Sequence, residues 1–280
     1  MAKPIMIQGT CSNAGKSFVT ASLCRLFHNM GYKVAPFKSQ NMSRNFSVLE
    51  NGDIISSAQV FQCKGAKSKP TKYNNPIMLI PNSDTGSKVV CLGKELGNMT
   101  AKEYFSVKAK FKKDIMEAYN ALSKENDIIV IEGAGSPAEI NLLDGDFVNM
   151  GLAEMVDSPV LLVGDIDRGG VFASLYGTVK LLPKAYQERI KGYIINKFRG
   201  DREILLPGIE RLSSFIDVPC LGIIPYLDVS FEEEDSLSKE DGLKPKENSQ
   251  EFFDCQLEKA SAFINEKIDI NAVFRIMGIK

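Results

Sequence analysis

The stretch Gly9-Thr10-Cys11-Ser12-Asn13-Ala14-Gly15-Lys16-Ser17 has the residue types and spacing to bind a chain of phosphates. Small residues let successive backbone N–H groups turn toward one anion, and a helix opening at the lysine adds about half a positive charge at its N-terminus. The lysine would reach the β- and γ-phosphates, and the serine hydroxyl would hold Mg²⁺. The usual G-x-x-x-x-G-K-S/T pattern puts its first glycine at position 10; here Thr10 stands there and Gly9 lies one earlier. A strand–turn–helix with an incidental Gly-Lys-Ser is the rival reading. Thr10, Ser12, Asn13, Ala14, Gly15, Lys16 and Ser17 are therefore the candidate contacts for a nucleoside triphosphate.

Other chemistry-bearing residues stand where apolar runs end. Ile128-Ile129-Val130-Ile131 leads to Glu132. A carboxylate in that place of a phosphate-loop protein binds Mg²⁺ directly or through water, and a buried one needs such a partner. Val34-Ala35-Pro36-Phe37 leads to Lys38-Ser39-Gln40-Asn41-Met42. Ligands of parallel α/β sheets bind beyond strand ends, so Lys38 could contact phosphate; a solvated turn is the alternative. Pro159 to Gly164 runs into Asp165 and Asp167 before Gly169-Gly170, and Gly192 to Ile195 ends in Asn196, whose amide could read an adenine edge.

Strands alternating with helices at this rhythm predict a mostly parallel sheet wrapped by helices. The first helix should bury Val19, Leu23, Leu26, Phe27 and Met30, which turns the sole histidine, His28, to solvent. No mechanism needing a Cys-His or Ser-His pair elsewhere is then available. Thr100-Ala101-Lys102-Glu103 is a capping box, predicting one helix with Tyr104, Val107, Phe111, Ile115, Ala118, Tyr119 and Leu122 buried. Between positions 45 and 100, Pro70, Pro76, Pro81 and a polar run through Ser87 suggest only an elaborated, loop-bearing connection. The expected organisation is an α/β domain over 1–230, an acidic linker over 231–251 and a helical tail over 252–280. From Glu232 to Glu251 eight acids face three lysines.

Composition is ordinary, with 44% hydrophobic and 25% charged residues and net charge −1. Nothing suggests a nucleic-acid partner, and no run approaches the roughly 18 apolar residues of a membrane span. With no signal-peptide pattern, the cytoplasm is the expected compartment. Six cysteines without a Cys-x-x-Cys pair predict reduced, structural thiols.

The phosphate loop, Lys38 to Met42, Ser83-Asp84-Thr85-Gly86-Ser87, Glu132 to Leu142, Gly164 to Tyr176 and Ile195 to Asp201 together resemble the synthetase half of the cobyric acid synthase family, over roughly residues 1 to 235. The resemblance implies a P-loop NTPase-type α/β fold, dethiobiotin-synthetase-like, with helices on both faces of a mostly parallel sheet. It implies that ATP, with Mg²⁺, phosphorylates peripheral carboxylates of adenosylcobyrinic acid a,c-diamide and that ammonia converts the acyl phosphates to amides at positions b, d, e and g. Carried over by position, Lys16 and Ser17 serve phosphates and metal, Glu132 the metal, and Asn196 the adenine. Lys38, Ser39, Gln40, Asn41, the Ser83, Asp84 and Thr85 loop, and Asp165 with Asp167 would lie near the reacting carboxylate; Lys16, Lys38, Glu132, Asp165 and Asp167 are the catalytic assignments.

Two departures stand out. The family continues into a glutaminase domain with a Cys-His-Glu triad, whereas here the linker leads to a tail resembling the family's extreme C-terminus. Ammonia is then expected to be free or supplied by a separate glutaminase subunit; a homodimer is also compatible with the reading. In Gly52-Asp53-Ile54-Ile55-Ser56-Ser57-Ala58-Gln59, Ile54 takes an acid's usual place, and Lys64 that of another. Asp53 is the substitute metal ligand, although one residue on a helix rotates a side chain by about 100°. The rivals are a dethiobiotin-synthetase-like carboxylate-activating ligase, a degenerate ATP-binding paralogue acting as a partner subunit, and a ParA/MinD-like partitioning ATPase. The last would need a membrane helix or DNA-binding surface.

Overall fold

The computed structural model describes residues 1–83, 86–227 and 250–279. The chain opens with β1 (Lys3–Gly9), α1 (Lys16–Asn29) and β2 (Val34–Phe37). Next come β3 (Gln40–Met42), β4 (Phe46–Val48), β5 (Ile54–Ser56), α2 (Ser57–Gly65), β6 (Ile77–Pro81), β7 (Gly86–Cys91), β8 (Lys94–Thr100) and α3 (Ala101–Val107). The remainder is α4 (Phe111–Glu125), β9 (Ile128–Glu132), α5 (Met150–Met155), β10 (Val160–Asp165), α6 (Val171–Leu181), α7 (Lys184–Gln187), β11 (Ile190–Phe198), α8 (Arg202–Ser213), β12 (Cys220–Pro225), α9 (Gln250–Lys267) and α10 (Ile270–Met277).

Six strands form a parallel sheet in the order β12-β11-β10-β1-β9-β2. Both faces are covered, so the strands read as continuous apolar runs. Ile5 and Ile7 join Val130, Leu161, Val163 and Ile194 in one layer, beneath α1 and the tail helices. Met6 joins Ile129, Ile131 and Leu162 in the other, beneath α4, α5, α6 and α8. Each such side chain, fully buried, contributes about 1.5–3 kcal/mol. Register sets the strand ends level: Phe37 lies opposite Ile131, so Lys38 and Glu132 emerge side by side.

The region expected to be an elaborated connection is a second sheet, β3-β6-β7-β8, parallel only at β3–β6, with β4 and β5 paired beside it. Its strands are short, and β8 is exposed along almost its whole length, which left no apolar alternation to read. The capping box at Thr100 and Glu103 is present. The single helix expected after it is broken at a tight turn, Lys108–Lys110, across which Tyr104 and Phe111 stack with ring centroids 5.7 Å apart.

Of the expected acidic linker, 231–249 lie outside the described residues, and Gln250 and Glu251 already belong to α9. Leu257, Ala260, Ile264, Val273 and Met277 of the last two helices are buried. The cysteines are free thiols, and burial pushes those of Cys63 and Cys91 up to about 12. Among the described residues no helix is long and apolar enough to cross a membrane.

Candidate active site

The bend after β1 is held open by backbone that few residues tolerate. Asn13 and Gly15 are left-handed, with φ of 59° and 98°. A Cβ on Gly15 would fall 2.0 Å from Asn196 Nδ2, so both conformation and space demand glycine. Gly15 caps α1 without a side-chain acceptor, leaving the first N–H groups of the helix directed at the loop. Thr10 N donates to Val163 O, fixing the loop to the end of β10, while Ser12 is exposed.

Lys16 is buried; its Nζ donates to the carbonyls of Cys11 (3.3 Å) and Gly135 (3.1 Å). One helix position on, the Ser17 hydroxyl donates to Glu132 Oε1 at 3.0 Å. Lys38 Nζ meets the same oxygen at 3.0 Å, and Gln62 Nε2 donates to Oε2. Glu132 is 1% exposed. Burial alone would raise its carboxyl pKa. The charges of Lys38 and Lys16, with hydrogen bonds from Lys38 and Gln62, outweigh burial and hold it below the usual carboxylate range. Two lysines around one carboxylate leave an excess of positive charge where a phosphate chain would end.

Gln62 escaped the sequence reading. Its signal was a pair of glutamines, Gln59 and Gln62, one turn apart on the buried face of α2; Gln59 Nε2 donates to Gln62 Oε1 at 2.8 Å. Lys197 also escaped. Its Nζ bridges Asn13 O (2.6 Å) and Asp165 Oδ2 (3.0 Å), bracing the loop from the side away from Glu132.

The remaining candidates divide. Asn196 Nδ2 donates to Ala14 O at 2.9 Å, so its amide braces the phosphate loop where an adenine contact was expected. Asp165 pairs with Lys197 and accepts from Asp167 N, and Asp167 pairs with Arg199 at 3.4 Å. These acids stand beside the loop brace. Ser39 is buried with no hydrogen-bond partner at Oγ, Asn41 donates to Ser56 Oγ, and Gln40 Oε1 accepts from the Tyr104 hydroxyl at 2.5 Å. Ser83 lines a cavity together with Gln40, while Asp84 and Thr85 lie outside the described residues.

Asp53, the substitute metal ligand expected from the sequence, has other partners in this structure. Its carboxylate is bound by Lys94 (2.8 Å) and Asn51 (2.8 Å), and these contacts, Lys94 foremost, hold its pKa low. It precedes β5 and ties that strand to the β7–β8 turn, where Gly93 O accepts from Ile54 N. The side chain brought to Glu132 from this region is Gln62, two turns into α2. Among the described residues no group of three or more His, Cys, Asp or Glu could hold a metal. Ser17 and Glu132 nonetheless offer two converging hard oxygens, a donor set suited to Mg²⁺ when phosphate oxygens and water complete the shell.

A parallel sheet with a phosphate loop after one strand and an acid ending the next defines a P-loop α/β nucleotide-binding protein. The CbiA family, described as CobQ/CobB/MinD/ParA nucleotide binding domain, matches residues 5–238, and the chain belongs to it. It is 59% identical over 239 residues to the cobyric acid synthase of Ruminiclostridium cellulolyticum, covering 85% of this chain and 46% of that protein. Against the cobyric acid synthase of Lachnoclostridium phytofermentans it is 56% identical over 243 residues, covering 85% and 47%. The chain thus spans about half the length of the curated relatives it matches, corresponding to their N-terminal portion. Among solved structures it is similar to the MinD cell division protein of Aquifex aeolicus, at 20% identity and a TM-score of 0.49, covering 100% of this chain and 98% of that one.

Proposed function

We propose that this chain is an ATP-dependent, amide-forming ligase that activates peripheral carboxylates of adenosylcobyrinic acid a,c-diamide in cobalamin biosynthesis. The observation that carries the reading is the convergence of Ser17, Lys38 and Gln62 on the buried Glu132, with the charge of Lys16 acting on it from the phosphate loop, in a chain whose relatives bear the cobyric acid synthase name. A substrate carboxylate oxygen attacks the γ-phosphorus and ADP leaves; ammonia then attacks the acyl carbon, and the phosphate departs with its bridging oxygen. Lys16 exchanges its two carbonyl acceptors for phosphate oxygens, and Lys38 keeps positive charge beside the transferring group. Ser17 and Glu132 hold Mg²⁺, which draws charge from the phosphates when bound. Asp165 and Lys197 keep the loop in shape from the other side.

Ammonia is the nitrogen donor, and the reaction belongs to the cytoplasm. The test is to incubate the purified chain with ATP, Mg²⁺ and ammonium, with and without the a,c-diamide, and to weigh the corrinoid product. Corrinoid-dependent ADP release with a mass loss of about one unit per amide is expected. Turnover of diaminopelargonate in place of the corrinoid would move the assignment to a dethiobiotin-synthetase-like ligase, and nucleotide binding without either turnover would leave a partner subunit.

A further inference from the structure

Two cavities adjoin on the flank of the site. The smaller, of about 180 Å³, opens on Ala134 and Ser136, either side of the Gly135 whose carbonyl holds Lys16. The larger, of about 440 Å³, lies under β3 and β6–β8 and reaches Met42, Arg44 and Met99. Gln40, Tyr104 and Phe105 line both, so the hydrogen-bonded Tyr104–Gln40 pair is the wall between two lobes of one trough. The margin is apolar and open: Met42 is 50%, Phe105 52% and Leu142 44% exposed. A cation stands in each lobe, and in the near one Glu139 and Asp146 line the wall as well, Asp146 accepting from the backbone N–H groups of Val148, Asn149 and Gly151. Lys108 Nζ lies 5.0 Å from the Phe105 ring centre in the near one, and Arg44 lines the far one.

Resting on the ligase reading above, we propose that this trough is the cradle of the corrinoid. The arm to be activated enters the near lobe, the body of the ring lies on Phe105 and Met42, and Lys108 and Arg44 pair with carboxylates on other arms. The near lobe is lined by Ala134 and Ser136 and also by Tyr104 and Phe105, so a molecule whose carboxylate sits beside Gly135 would lay the rest of itself against the two rings. The near lobe alone would house a short linear acid. Together the lobes fall within the about 300–1,000 Å³ usual for ligand sites, and they match a bulky, largely apolar body with charged arms.

The test uses Phe105→Ala, Arg44→Gln and Lys108→Gln in the full chain, none of them in the phosphate site. KM for the a,c-diamide and affinity for ATP are measured for each. Phe105→Ala should raise corrinoid KM about ten-fold with ATP affinity unchanged, since an exposed aromatic contributes on that scale when covered. Each charge variant should raise KM several-fold, and the penalty should fade at high salt and with a substrate whose other arms are already amidated. A wild-type chain that binds ATP but no corrinoid would overturn the ligase reading itself. A wild-type chain that turns over the corrinoid while all three variants keep its KM would overturn the cradle and leave that reading standing. Phe105→Leu, which keeps apolar bulk, should recover most of the loss; if Phe105→Ala misfolds, the two surface charge variants decide the question alone.

Discussion

Arg25 and Glu132 anchor two buried charge centres that are built on opposite principles. Around Arg25, which is fully buried on α1, every partner is an acceptor: Gly65 O and Lys64 O at 2.8 Å each, and the Asp254 and Glu258 carboxylates of α9 at 2.7 Å each. One positive charge meets two negative ones, and both acids keep nearly half their side-chain surface in water. Around Glu132 the balance is reversed, with Lys38 and two neutral donors on a single buried carboxylate and the charge of Lys16 acting on it as well. The first centre is closed, with guanidinium and carbonyls satisfied and further anions repelled. The second keeps unbalanced positive charge at the mouth of a helix and is completed only by an anion. One fastens α1, α2 and the tail together, and the other is where the proposed chemistry takes place.

The contrast is sharpest under Lys16→Ala. Removing that ammonium leaves the Arg25 centre untouched, so the melting temperature should fall less than in Arg25→Ala. ATP-dependent turnover should fall by about 10²–10³-fold, the usual loss when one stabilising group is taken from developing phosphoryl charge. Turnover within a few-fold of wild type would remove the loop from the mechanism. Arg25→Ala should do the opposite. Breaking a buried pair from its buried side costs about 3–5 kcal/mol, and the lower end applies because Asp254 and Glu258 rehydrate easily. Urea unfolding should show that loss, while KM for ATP in the surviving folded protein stays put.

Acid pH separates the two centres by degree. Glu132 has its folded-state pKa below its ordinary value of 4.5, so it adds stability that is fully present above pH 4.5 and lost as pH falls through the lower, folded value. Glu258 is shifted the same way, burial opposing hydrogen bonds from Asn29 and Arg25, but it is half-exposed. The stability gap between wild type and Glu132→Gln should therefore be widest above pH 4.5 and close below it. For Glu258→Gln the same closure should be shallower. A gap that widened on acidification would mean that Glu132 enters the folded state protonated.

How much of this was legible follows from where the signals lay. The six parallel strands announce themselves because both faces are covered and every position is apolar, as Ile128 to Ile131 illustrates. Glu132 and Lys38 were legible for the same reason, being the first polar residues after such runs. The β3–β8 region was not: β8 faces water along its length, and nothing beside Arg25 in the sequence of α1 marks it as buried. Its burial depends on acids more than two hundred residues away, a pairing that no local pattern encodes. Gln62 sits between, since a glutamine pair on an apolar face is visible, but the carboxylate it serves is on another strand. Asn196 was legible as a polar strand end, whereas the Gly15 it rests against could come only from the fold.

Asp53 gives the smallest expected effect and the finest cut between the two principles. It was assigned to the metal by its nearness in sequence to Ile54, where an acid would ordinarily stand. Its carboxylate instead closes a pair with Lys94, whose side chain is 65% exposed, so the pair resembles the Arg25 knot in kind and is far weaker. Such pairs contribute about 0–1 kcal/mol. Asp53→Asn should lower stability by no more than that, since the amide keeps the Asn51 side of the contact. The Mg²⁺ concentration giving half-maximal turnover should stay within about two-fold, because the hard oxygens that suit the ion are those of Ser17 and Glu132. A ten-fold rise in that concentration would place Asp53 among the metal's ligands after all. It would require the β4–β5 segment to leave Lys94 and swing toward Glu132 when nucleotide binds, a movement that hydrogen exchange at Ile54 N, now bonded to Gly93 O, would register directly.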